Sequence, residues 1–235
     1  MDFPKLSSPS LKDLFIREIE SMILSGRLPI GRRLPPEREL AKEMHVSRAV
    51  VNAGLVEMAK KGFIEIRPRV GAFITDYRRY GTTETLLSIM HYNGGTLRKT
   101  ELKSLLEIRL VLETLALESA VPRLTKEDLA VLKELAEEFG GSEDPSESAQ
   151  LIFRFHHELC VLSGNTLLPL IFHSFREPAI NLWERYFTLH GVEVLHNSTM
   201  ELYGCLERRD AERAVAVFRG TLQSAIDGGV SIYYE

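Results

Sequence analysis

The chain has 235 residues, 44% hydrophobic and 26% charged, with a formal net charge of −4 and two cysteines. That composition belongs to a globular protein rather than a disordered or fibrous one, and no apolar run approaches the roughly 18 to 20 residues that cross a bilayer. Residues 1–10 lack the apolar core of a secretory signal, and Cys160 and Cys205 sit inside helical patterns as small core residues, so the expected compartment is the cytoplasm. Charge is split unevenly: residues 1–78 carry 14 Lys and Arg against 10 Asp and Glu, the remainder 15 against 23. A basic head on an acidic body is the asymmetry of a chain in which one part meets phosphate and the other does not.

In chain order, Leu11 to Leu24 repeats apolar residues at three and four, an amphipathic helix that Gly26 stops. Leu28-Pro29-Ile30-Gly31 is a stiff turn, and Leu34-Pro35-Pro36 leads into a short helix from Glu37 to Met44. His45-Val46 breaks that helix, and Ser47 caps the next one. There Val51, Leu55 and Met58 form a single inward stripe, and Gly62 ends it. Phe63 to Arg67 and Ala72 to Thr75 alternate as two strands around Pro68-Arg69-Val70-Gly71, a hairpin with a basic tip. Helix, helix, tight turn, helix and hairpin within 80 residues make a winged helix-turn-helix.

Tyr77 to Thr83 reads as a linker and Asn93-Gly94-Gly95 as a break. Helices follow over Lys99–Ala120, Lys126–Glu138, Ser146–Leu162, Leu167–Leu189, Val192–Glu207 and Ala211–Ile226, with short connections, as in a bundle. The expected fold is therefore mainly α: a DNA-binding winged helix-turn-helix at 1–78, a linker and connecting helix at 79–96, and an all-helical domain at 97–235.

A recognition helix meets base edges with its N-terminal residues. With Val51 and Leu55 inward, Arg48, Ala49 and Asn52 face out. Arg48 suits a guanine edge or a phosphate and Asn52 an adenine, while Ser47 offers a hydroxyl to phosphate. Arg38, near the start of the preceding helix, is placed to reach the backbone or an adjacent base. Arg67 and Arg69 at the hairpin tip suit the minor groove, with Gly71 allowing close approach. Each arginine alone is most simply a solvated charge; together on one supersecondary unit they favour DNA.

The runs Gly31-Arg32-Arg33-Leu34-Pro35-Pro36-Glu37-Arg38-Glu39-Leu40-Ala41, Val46-Ser47-Arg48 and Gly62-Phe63-Ile64 resemble the N-terminal signature of the GntR family of regulators. That resemblance implies a homodimer on a palindromic double-stranded operator. Asn52 stands where the family usually has a second arginine, Gly54 where alanine or valine is usual, and Arg69-Val70 replaces a glycine-rich wing tip. The second half is similar to the FadR-type C-terminal domain, FCD. The resemblance rests on Glu107-Ile108-Arg109-Leu110-Val111-Leu112-Glu113, Phe155-His156 ahead of Ser163-Gly164-Asn165, and Arg209-Asp210-Ala211-Glu212-Arg213-Ala214.

Many FCD domains hold a divalent metal through an aspartate, a histidine four residues on, and two later histidines. The corresponding positions here are Ile152, His156, Thr199 and Thr221, so one ligand of four remains. His196, a turn before Thr199, does not complete a cage, and neighbouring His156 and His157 point different ways. No metal and no other cofactor is expected. The effector set is read as Arg109, His156, Asn165, His196, Thr199 and Thr221. Arg109, in an apolar run, needs an anionic partner: either Glu113 at i+4 or the carboxylate or phosphate of an effector. No Gly-rich phosphate loop, HExxH or nucleophile motif supports an enzyme. The expected function is an operator-binding regulator, repression being the expected mode, tuned by a small anionic organic acid or acyl effector. The alternative is a DNA-binding protein without an effector.

Overall fold

The computed structural model describes residues 9–227; the outer ends of both expected domains, and most of the stretch read against a secretory signal, lie outside them. Residues up to Tyr92 form one compact unit and those from Asn93 a second.

The first unit opens with α1, Leu11–Leu24, whose start is fixed by a capping box between Ser10 and Asp13. α2 spans Glu37–Glu43 and α3 Arg48–Lys60. Between them His45 takes a left-handed conformation (φ 53°), which turns the chain sharply, and the Ser47 hydroxyl accepts the Val50 amide at 3.2 Å to start α3. Val51, Leu55 and Met58 are buried with Phe15, Ile19 and Leu40 in one core. α3 also buries Gly54, and a Cβ there would fall inside the ring of Phe15. Thus the glycine that weakens the helix by about 1 kcal/mol relative to alanine is what lets α1 lie close against α3.

β1, Ile64–Arg67, pairs antiparallel with β2, Gly71–Ile74, from Arg67 opposite Gly71 to Ile64 opposite Ile74. Gly31 to Leu34, expected only as a stiff turn, adds a third edge. The amides of Gly31 and Leu34 donate to Ile74 and Ala72, the Ile74 amide donates to Arg32, and Arg33 bridges to Phe73. Leu34 seals this edge, 3% exposed.

The stretch expected as a linker, Tyr77 to Thr83, holds α4, a single turn at Tyr77–Tyr80, and within 79–96, where a connecting helix was expected, α5 runs Thr83–Met90. Gly81 ends α4, and the Thr82–Thr85 cap, with little apolar signal around it, starts α5. Glu20 of α1, Lys61 after α3 and Ser88 of α5 form a half-buried network, Lys61 Nζ donating to Glu20 at 2.9 Å and Ser88 at 3.2 Å. α5 is thereby fastened to the three-helix head.

The second unit contains α6 (Lys99–Ala120), α7 (Lys126–Gly141), α8 (Pro145–Leu162), α9 (Leu168–His173), α10 (Arg176–His190), α11 (Glu193–Glu207) and α12 (Ala211–Ile226). The single helix expected over Leu167–Leu189 is broken at Ser174–Phe175. Pro178 explains the break: it has no amide to bond Ser174, and its ring collides with the carbonyl four residues back. α8 packs against α6, α7, α9 and α10, while α12 packs on α6 and α11. α7 continues through Gly140, where a Cβ would meet the ring of His196. Among the described residues no helix is long and apolar enough to cross a membrane.

Candidate DNA interface and effector cavity

On the head, Ser47, Arg48, Ala49 and Asn52 are all exposed at the start of α3, and Arg38 is exposed at the start of α2. The Asn52 amide donates to Glu37 Oε1 at 3.0 Å, tying the two helix starts together. That pairing was not legible in the sequence, because its partners lie 15 residues apart on different helices. At the wing, Arg67 donates twice to Glu65 Oε2, at 3.0 and 2.8 Å, and its guanidinium lies 4.5 Å from the Phe73 ring centre. The bond from Arg67 holds the Glu65 carboxyl below the usual carboxylate range. Arg69 is exposed with a left-handed backbone (φ 62°). Gly71 (φ 136°) has the Arg33 side chain against it, 3.0 Å from where a Cβ would stand. Arg33 therefore joins Arg67 and Arg69 on the wing, a residue missed because the third edge of the sheet was missed.

In the helical unit Arg109, Glu113 and His156 meet. Arg109 Nε donates to Glu113 Oε1 at 2.8 Å, and His156 Nδ1 lies 2.5 Å from Glu113 Oε2 without the alignment of a hydrogen bond. All three side chains are almost fully enclosed, at 3%, 3% and 8% exposure for Arg109, Glu113 and His156. Burial pushes the Glu113 carboxyl up, but the charges of Arg109 and His156 outweigh it and hold the group below the ordinary value of 4.5. Trp183 of α10 stacks on His156, rings 5.5 Å apart at 13°, and carries the Arg109 guanidinium 4.3 Å from its centre.

Beside this cluster lies a cavity of about 220 Å³ with an adjoining recess of about 50 Å³, both reaching Arg109, Trp183, Leu195, Ser198 and Thr221. His156 and Thr199 line the recess. Four of the six residues read as the effector set thus converge. The other two do not line this space, a correction to that set. Asn165 accepts the amides of Leu167 and Leu168 at 3.0 and 3.2 Å, capping the approach to α9. His196 packs edge-on against Phe139 and over Gly140. Glu113, Trp183, Tyr186 and Ser198 complete the site; of these the sequence pointed only to Glu113, by its i+4 spacing.

A model of the bacterial regulatory proteins of the gntR family matches residues 15–74, and a model of the FCD domain matches residues 104–224. The chain belongs to the gntR family, with an FCD domain. This GntR chain is 24% identical to the HTH-type transcriptional regulator LutR of Bacillus subtilis (strain 168), over 91% of this chain and 98% of that protein. It is 28% identical to the Uxu operon transcriptional regulator of Escherichia coli (strain K12) over 66% of this chain, a match spanning 60% of that protein. The solved structure of Lar, described as controlling the Listeria monocytogenes agr system, covers 94% of this chain with a TM-score of 0.62 at 16% identity, a likeness of fold alone. These families and relatives are transcription regulators, not enzymes.

The metal held by many FCD domains does not fit this GntR chain. Ile152 is fully buried and apolar at the aspartate position, and the Thr199 and Thr221 hydroxyls donate to the carbonyls of Leu195 and Val217 in their own helices. Among the described residues no three of His, Cys, Asp and Glu gather as a metal would require. His157, beside His156 in sequence, turns instead to Phe153 and to His173, 5.4 Å from its ring centre.

Proposed function

We propose that this protein is a sequence-specific DNA-binding transcription regulator, acting as a homodimer on a palindromic operator. A small anionic effector, an organic acid or acyl derivative bound beside Arg109, sets its operator affinity, and repression is its mode. The observation that carries the DNA reading is the exposed polar start of α3, Ser47, Arg48, Ala49 and Asn52, on a helix whose opposite side is locked into the core by Val51, Leu55 and Met58. Such a helix presents its first turns to a major groove, and Arg33, Arg67 and Arg69 bring positive charge to the wing for the adjacent backbone or minor groove. Two heads on a two-fold site require two copies. Ile108, Val111 and Leu115, 43%, 68% and 42% exposed on one side of α6, supply an apolar face for that association.

Arg109 is best read as serving both roles that its surroundings offer. Its Nε is engaged by Glu113, and among the described residues no group hydrogen-bonds its two terminal nitrogens, on the side where the cavity lies. An anion bound there alters the α6–α10–α12 arrangement only if one operator-binding state accepts it better than another, since equal affinity for both states shifts nothing.

Selection of duplexes from a random pool by the purified full chain tests the reading. A two-fold symmetric consensus, bound at least a hundredfold tighter than random DNA at about 150 mM salt, is expected. Enrichment of no consensus, with binding that depends on salt alone, would leave an architectural DNA binder instead.

A further inference from the structure

Resting on the effector reading above, we infer that the cavity is selective for a small monocarboxylate with an apolar body, an aryl or aliphatic acid, and rejects polyhydroxylated and dicarboxylic acids. Three features of the walls lead there. The first is charge. Among the described residues, Arg109 is the one cationic side chain of Lys or Arg type lining either the cavity or its recess. Its two terminal nitrogens face one carboxylate as a fork. A second carboxylate in the main cavity would be placed against leucines, because His156 lines only the recess and lies against Glu113, 2.5 Å from its Oε2. Glu113 itself stands behind the guanidinium, 2.8 Å from its Nε.

The second feature is the body of the cavity, walled by Leu106, Leu182, Trp183, Tyr186, Leu195 and Leu222. These surfaces reward an apolar group, and the Tyr186 phenol is the one hydroxyl they carry. The third is that most of the hydroxyls present are already engaged; among the described residues the Tyr186 and Ser224 hydroxyls are the two in the lining that hydrogen-bond no other group. Ser198 and Thr221 bond each other at 2.5 Å, Thr221 also reaches the Val217 carbonyl at 3.2 Å, and Thr199 donates to Leu195 at 2.8 Å. A sugar acid would bury several hydroxyls without partners, each lowering affinity by about tenfold or more. A 2-hydroxy acid would likewise find no metal to chelate, because the ligand positions hold Ile152, Thr199 and Thr221. Size agrees: about 220 Å³ is many times the space of one water, yet below the roughly 300 to 1,000 Å³ of sites for drug-sized ligands.

Trp183, the chain's single tryptophan, lines the cavity and reports occupancy directly. The test titrates the full chain with phenylacetate, hexanoate, 2-phenylethanol, gluconate and succinate, following Trp183 fluorescence and calorimetric heat. Phenylacetate or hexanoate is expected to bind at least tenfold tighter than 2-phenylethanol, which lacks the carboxylate, and at least tenfold tighter than gluconate and succinate. Arg109→Gln should remove the preference for the acid over the alcohol. Because that variant disturbs a buried ion pair, Leu182→Asn serves as a second probe, weakening phenylacetate while narrowing its advantage over gluconate. Tighter binding of gluconate or succinate would overturn the apolar-acid inference and leave an effector site standing. No response to any of the five, with DNA binding intact, would overturn both the inference and the effector reading while sparing the DNA reading.

Discussion

The two units use arginine in opposite ways. On the head, Arg38, Arg48 and Arg69 are exposed, and Arg67 is held only by Glu65 and Phe73 at the surface. In the bundle, Arg109 is withdrawn from the surface between a carboxylate and an indole and opens only to the cavity. A surface guanidinium contributes little to folding because water screens it, so under the proposed function its removal should be felt by DNA and not by stability. A buried one is inseparable from its partners, and removing any of them leaves an uncompensated charge in the core. Contact with DNA and contact with an effector therefore place different demands on the fold.

The largest expected effect is in the bundle. Glu113→Ala should cost about 3 to 5 kcal/mol of unfolding free energy by stranding Arg109 in the interior, read by urea denaturation. A loss under about 1 kcal/mol would erase the contrast between the units. The same pair predicts a pH signature. Because the folded carboxyl of Glu113 titrates below its ordinary 4.5, its stabilisation is fully present above that value and disappears as pH falls through the lowered one. The stability gap between wild type and Glu113→Ala should accordingly narrow in acid.

Arg48→Ala should reverse the pattern, with operator affinity falling by about 1 to 3 kcal/mol and stability moving by no more than about 0.5 kcal/mol. Gly54→Ala sharpens the comparison from the packing side. Alanine gains about 1 kcal/mol in a free helix, but here its methyl enters the buried Phe15 ring, and overpacking of about 1 to 3 kcal/mol should win. A stabilised variant in thermal denaturation would show that α1 moves aside cheaply. The smallest effect is at the wing tip. Arg69→Gly should gain up to about 1 kcal/mol by relieving the left-handed backbone at φ 62°. It should also lower the salt slope of DNA binding by about one through a lost phosphate contact.

How much was legible in the sequence follows from the same contrast. The head's residues lie within one short stretch, so the α3 stripe, the Ser47 cap and the hairpin announced themselves through period and turn chemistry. The cavity draws on α6, α8, α10, α11 and α12, and Trp183 and Ser198 carry no local signal that they face Arg109. Asn165 is read into it from the FCD resemblance and His196 from lying a turn before Thr199, whereas one caps a helix start and the other fills the space that Gly140 leaves open. One miss was avoidable in physical terms: Pro178 forbids a continuous helix through Ser174. The third sheet edge was not, since Gly31 to Pro36 shows no alternation, Arg32 and Arg33 both being exposed ahead of buried Leu34.

Fluorescence anisotropy of a selected duplex, titrated with the full chain and with Arg48→Ala at several salt concentrations, addresses the central claim most directly. The account predicts a large preference for the selected duplex over a random one in the wild type, and its collapse in the variant with melting temperature and Trp183 emission unchanged. Equal affinity for both duplexes, or an Arg48→Ala curve superimposed on the wild type, would contradict it.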